Sequence, residues 1–289
     1  MMVGAVLIVK GMAPMIGQEV RFPFPAVPDL IQDPQERMTY LLEHFWDNYN
    51  FKDTSQRNTD VAEQGFADFV YLMQRADSAT AALGAQMLAR RVDKDASRTK
   101  LVASLVDHYL GNPNSPLRDD VVYAHLLRAL PQTPQLAYRL KQVEKNQPGM
   151  VAADFVYVDR RGWCSTLHDL ASGARWTLIV FNDPECEHCH EQMPRIIASQ
   201  VLAQTKGLTV LAVSPDDNTA AWHDQPLTMT GGKLQLPANW IDAYSPDGII
   251  MRRQIYHLPA MPSLYLLDKD KRVVLKDATI EAVEQFLGQ

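Results

Sequence analysis

The chain has 289 residues, 46% hydrophobic and 21% charged, the proportions of a soluble globular protein. Its 28 Lys and Arg against 34 Asp and Glu leave a formal charge of −6, which argues against the basic patch of a nucleic-acid binder, and no run of ~18 apolar residues offers a transmembrane segment. Three cysteines are too few for a disulfide scaffold but enough for a redox pair and one further thiol.

The first 30 residues read as a lead-in. Val3 to Val9 is a short apolar run ending at Lys10-Gly11-Met12-Ala13. It reads either as the back half of an export signal or as a loose tail, since a basic segment before it is missing and no Cys follows to carry a lipid. Arg21 to Pro28 is punctuated by Pro and is expected to be extended.

Residues 31–147 carry helical spacing. Asp33-Pro34-Gln35-Glu36 is a start signal with a capping Asp and a Pro at the first helical position. Met38, Leu41, Leu42, Phe45 and Tyr49 then form one apolar stripe. Asp60 and Glu63 are expected to cap a second helix ahead of Phe66, Phe69, Val70 and Met73. A further stripe, Leu101, Val102, Leu105, Val106 and Tyr109, stops at Gly111 in the loop GNPNSP. Ser115-Pro116 is expected to start the next helix, Leu130-Pro131 to end it, and Pro134 to start the last. About six helices in a bundle-like domain follow. His44, His108 and His125 lack metal-ligand spacing, and Trp46 belongs to an aromatic stripe of core character. Nothing in this half specifies chemistry.

At Gln147-Pro148-Gly149 the period changes, and residues 148–289 read as a second, α/β domain. Phe155 to Val158 is a strand, and Trp176 to Phe181 is a continuous apolar strand of the kind buried on both faces. Cys186-Glu187-His188-Cys189 follows, then a helical run broken at Pro194. Leu208 to Val213, Ser263 to Asp268 and Arg272 to Leu275 are further strands, and Thr279 to Leu287 is a terminal amphipathic helix.

This half resembles the thioredoxin-fold domain of TlpA-like extracytoplasmic thiol-disulfide oxidoreductases. The resemblance rests on the buried strand before the Cys-x-x-Cys, on the Cys186/Cys189 pair opening a helix, on Pro194 five residues beyond, and on Met261-Pro262-Ser263 directly before a strand. The helical half, with HFWDNYNF and YLGNPNSPLRDD, is similar to a helical domain found ahead of thioredoxin domains in exported proteins of Bacteroides-type bacteria. The fold expected is thus a helical bundle followed by a thioredoxin-like mixed sheet.

The resemblance implies thiol-disulfide exchange on protein or peptide substrates, with an external thiol as electron donor, no metal or organic cofactor, and a place in the periplasm or cell envelope. Cys186, at a helix N-terminus where unpaired N–H groups favour a thiolate, is expected to attack. Cys189 is expected to be the more buried resolving thiol. Glu185, Glu187 and His188 tune the pair with opposing signs, the two Glu tilting it toward a reductase or isomerase. The resemblance also implies that the Met261–Pro262 bond is cis, stands beside the pair, and offers the backbone of Met261 to an extended substrate.

Three departures stand out. Val180 occupies the place where thioredoxin has a buried Asp, leaving Glu187, Glu191 or water to take a proton. Glu185 replaces the Trp before the first Cys. Cys164 is an odd thiol, read as structural or as a third redox partner. Two other readings remain open. Cys186-Glu187-His188-Cys189-His190 is literally the c-type haem attachment pattern, with His190 as axial ligand. A thioredoxin fold can also be kept as a non-enzymatic docking module. Structural zinc lacks a second ligand pair.

Overall fold

A computed structural model describes residues 21–53, 55–93, 95–170, 174–227 and 236–289. The Val3 to Val9 run lies outside them. The chain divides into two compact units, Met1–Arg98 and Thr99–Gln289. The expected change at 147/148 marks where helices give way to strands, whereas compactness divides the chain after Arg98.

In the first unit, α1 (Pro34–His44) starts as expected, the Asp33 carboxylate accepting from the backbone N–H groups of Gln35 and Glu36. α2 (Gln56–Met73) begins before Asp60, because Ser55 caps it by accepting from Asn58 N–H; Asp60 lies inside the helix. α3 (Ser78–Val92) is capped by Asp77. Leu42, Phe45, Phe66 and Phe69 are fully buried, Trp46 is core, and Phe22 of the extended lead-in stacks on Phe45 with ring centroids 4.9 Å apart.

α4 (Ala96–Val106) runs into a π turn over Asp107–Gly111. The extra residue in that turn rotates the helix face, so Leu110 and not Tyr109 completes the buried stripe. α5 (Asp120–Ala129) starts five residues later than Ser115: the Asp119 carboxylate caps it by accepting from Val121 and Val122 N–H, while Ser115 is spent on a turn. α6 (Pro134–Val143) begins at the expected Pro.

Among the described residues the sheet has seven strands in the order β2-β1-β5-β4-β3-β6-β7. They are β1 (Val156–Asp159), β2 (Cys164–Thr166), β3 (Trp176–Phe181), β4 (Leu208–Ser214), β5 (Trp240–Tyr244), β6 (Ser263–Leu267) and β7 (Val273–Ala278). β3, β4 and β5 are parallel, and the outer pairs are antiparallel. β3 is buried on both faces. Leu178 and Val180 pack with α7 (Glu187–Ile197) and α11 (Ile280–Leu287), while Ile179 and Phe181 pack with Phe155, Tyr256 and Tyr265. The helical run does not break at Pro194: α7 continues through it to Ile197. α8 (Gln200–Gln204), α9 (Thr219–Asp224) and α10 (Ile249–Arg252) are short connections. Among the described residues no helix is long and apolar enough to cross a membrane.

Gly248 shows how tightly these connections pack. Its φ is +56°, and a Cβ there would stand 2.6 Å from the backbone nitrogen of Asp217. Gly248→Ala is expected to cost ~1–3 kcal/mol, read as a lower denaturant midpoint at unchanged slope.

α5 is tied to β7 by buried charge. Asp120 Oδ2 lies 2.9 Å from Lys276 Nζ and 3.2 Å from His257 Nδ1, and Asp120 Oδ1 lies 3.4 Å from Arg118. Arg118 also pairs with Asp277, whose carboxylate accepts from Ser263 Oγ at 2.6 Å.

Candidate functional site

β3 delivers the chain to a turn, Asn182-Asp183-Pro184-Glu185, folded by its own Asp. Asp183 Oδ1 accepts from Glu185 N–H at 2.8 Å, and Asp183 O accepts from Cys186 N–H at 3.1 Å. Cys186 thereby becomes the N-cap of α7, its sulfur accepting from Cys189 N–H at 3.4 Å. Both cysteines are free thiols. Cys186 is half-buried, whereas Cys189 is 2% exposed, one helical turn on and facing the core. Asp183 N–H donates to Cys189 Sγ at 3.5 Å. Burial pushes the Cys189 thiol up to about 12; the Asp183 backbone N–H opposes the rise, while Cys186 and the Asp183 charge add to it.

Pro262 is seventy-six positions beyond Cys186 in the chain, yet the fold brings it to the pair. The Met261–Pro262 peptide is cis, and the Cys186 thiol stands 3.7 Å from Met261 O, as a donor to it.

The three flanking polar residues are less convergent. Glu185 Oε2 accepts from Asn218 Nδ2 at 2.6 Å. His188 is exposed on α7, with Nδ1 3.7 Å from Glu191, and Glu187 is exposed in the first turn. Cys164 is exposed on β2, and three strands separate it from β3. At ~4.8 Å per strand step it lies roughly 19 Å away across the sheet, so the fold does not bring it to the pair. His190 Nε2 is engaged with the carbonyl oxygen of Pro184, and with Cys189 turned into the core the C-x-x-C-H residues do not share one open face. Among the described residues no cluster of His, Cys, Asp and Glu is placed to hold a metal.

The Asp183 carboxylate is the one whose charge adds to the rise of the resolving thiol. Burial raises the Asp216 carboxyl, and the Asp183 charge adds to the effect. A cavity of about 170 Å3, lined by Cys189, Asn182, Asp183 and Trp222, opens beside the thiol, and Asn182 Oδ1 in it is buried without a partner. Asn-Asp-Pro before the motif was the available signal, but it reads as an ordinary turn.

A family model described as a domain of unknown function (DUF5106) matches residues 8–153. The chain is similar to a thioredoxin-like protein from Bacteroides caccae, with 31% identity over 92% of this chain and 98% of that one and a TM-score of 0.82. It is also similar to the C-terminal domain of an uncharacterized protein from Bacteroides fragilis, with 34% identity over 50% of this chain and 99% of that one and a TM-score of 0.44. No curated protein matches it.

Proposed function

The chain belongs to the thioredoxin-like family and to the family of the domain of unknown function DUF5106, and from that premise we propose that it is a thiol-disulfide oxidoreductase working through Cys186 and Cys189. The observation that carries this reading is the 3.7 Å approach of the half-buried Cys186 sulfur to Met261 O, with a second thiol one helical turn behind it.

In the reductive direction the Cys186 thiolate attacks one sulfur of a substrate disulfide. One substrate sulfur leaves as a thiolate and is protonated, and the other is held in a mixed disulfide with Cys186. Cys189 gives up its proton and attacks Cys186, expelling the second substrate thiolate. Two electrons pass from the dithiol to the substrate, and an external thiol donor restores the pair. Met261 O and Pro262 present the backbone edge along which an extended substrate lies. Glu185 and Glu187 beside the nucleophile support a reductase or isomerase over a strong oxidant. The family resemblance and the apolar Val3 to Val9 run support the periplasm or cell envelope as its location. Reduction of insulin with dithiothreitol as donor tests the proposal: acceleration of B-chain precipitation is expected, and no acceleration over dithiothreitol alone overturns it.

The resolving step is expected to be steeply pH-dependent. Burial is the largest cause of the raised Cys189 thiol, and it persists once Cys186 is tied up in a mixed disulfide. A raised thiol is mostly protonated at neutral pH, so the rate of substrate release rises with pH, about tenfold per unit well below its pKa. Rapid-quench measurement of mixed-disulfide decay checks this; a flat profile shows that deprotonation of Cys189 does not limit release.

A further inference from the structure

Within the unit Thr99–Gln289 a groove of about 280 Å3 opens beside the dithiol. It is lined by Met261 and Pro262, by His188 of α7, by Thr279 ahead of α11, and by Pro113 and Asn114 from the loop between the π turn and α5. That loop belongs to the helical half of the chain, in which the sequence shows no chemistry.

The loop is held in one shape. Asn112 Oδ1 accepts from Asn114 N–H at 3.0 Å, and Asn112 O accepts from Ser115 N–H at 3.1 Å. Ser115 O accepts from Arg118 N–H at 3.1 Å, and the Arg118 guanidinium is anchored on Asp277 and Asp120. Pro113 and Asn114 are therefore presented as a preformed, exposed wall. Preformed walls select among ligands, because they give up little conformational freedom on binding.

The charges around the groove are already matched. Arg118 pairs with Asp277, Glu281 with Arg195, and His188 stands beside Glu191. An incoming charged side chain would find no unpaired counter-charge among these groups.

Resting on the oxidoreductase reading, we infer that this groove binds an extended, uncharged peptide segment flanking the substrate cysteine, and that Pro113 and Asn114 determine which segments fit. Asn114 does not touch the reacting sulfurs, so its influence falls on peptide seating and not on the exchange itself.

The test uses the full chain, pre-reduced, in single turnover. One substrate is a short unstructured peptide whose cysteine is disulfide-bonded to 2-mercaptoethanol; the other is 2-hydroxyethyl disulfide, which has no flank. Reaction breaks the substrate S–S bond, forms the Cys186–Cys189 bond, and releases the two substrate sulfurs as thiols. Asn114→Trp and Asn114→Arg, which crowd the groove, are expected to lower the ratio of peptide rate to small-disulfide rate by roughly tenfold in at least one variant. In the wild type, peptides with Asp or Lys on both sides of the cysteine are expected to react more slowly than an uncharged one. A ratio unchanged in both variants overturns the inference while leaving the oxidoreductase reading in place. Failure of the wild type to reduce either disulfide overturns the oxidoreductase reading and the inference with it.

Discussion

Replacing Cys186 by Ser is expected to abolish disulfide reduction, whereas Cys189→Ser is expected to stop the reaction half-way with substrate covalently attached. The asymmetry follows from burial and from hydrogen bonds. Cys186 is half-buried at the N-cap of α7, beside Met261 O, where an incoming disulfide can line up with it. Cys189 is in the core, behind the backbone N–H of Asp183, and meets a substrate only through Cys186. Without Cys186 no thiol faces the substrate, and the rate falls to that of the free donor, a loss of several powers of ten. Without Cys189 the first bond exchange proceeds and the mixed disulfide persists until an outside thiol cleaves it. Non-reducing gel electrophoresis and intact mass of Cys189→Ser after mixing with insulin check this. A trapped adduct on Cys186 is the expected result; an adduct on Cys164, or equal loss in both variants without any adduct, contradicts the assignment.

What the sequence revealed of this site depended on how local the signal was. β3 is legible because a six-residue apolar run buried on both faces has few other homes, and the Cys pair is legible because it opens the next helix. β5 escaped because Asp242 sits in the middle of it. A buried carboxylate breaks the apolar pattern, and only the fold shows that Trp222 Nε1 and Arg160 Nε donate to it at 2.8 and 2.7 Å. The start of α5 escaped because Ser115 and Asp119 are both good caps, and the choice between them is made by Arg118 and Asp120 pairing with β7. The approach of Met261 to Cys186 has no local signal at all. It came only through the family resemblance, since no spacing rule joins residues seventy-five positions apart. The groove wall at Pro113 and Asn114 is still less visible, because it is built by a loop whose sequence reads only as a breaker.

Asp120→Ala is expected to destabilise the protein by ~3–5 kcal/mol, because it leaves the Lys276 ammonium in the interior without its carboxylate. Burial alone would raise the Asp120 carboxyl. The hydrogen bond with His257 and the charges of Lys276, His257 and Arg118 outweigh it and hold the carboxyl well below the ordinary range. A depressed carboxyl contributes stability that is present above its unfolded pKa, near 3.9, and is lost as pH falls through its folded value. Wild-type stability should therefore drop in acid through this group, and Asp120→Asn should lack that part of the drop. Burial lowers the Lys276 ammonium even with Asp120 beside it, so the pair costs desolvation on both sides. The double variant Asp120→Leu with Lys276→Met should accordingly recover most of the loss, since an apolar pair of similar size avoids that cost. Urea midpoints across pH decide the matter, and a double variant as unstable as Asp120→Ala contradicts the argument. The same anchor fixes Arg118 at the end of the groove loop and His257 in the segment leading to Met261–Pro262. Loosening it is therefore expected to slow reaction with peptides more than reaction with small disulfides, joining the stability of the α5–β7 contact to the choice of substrate.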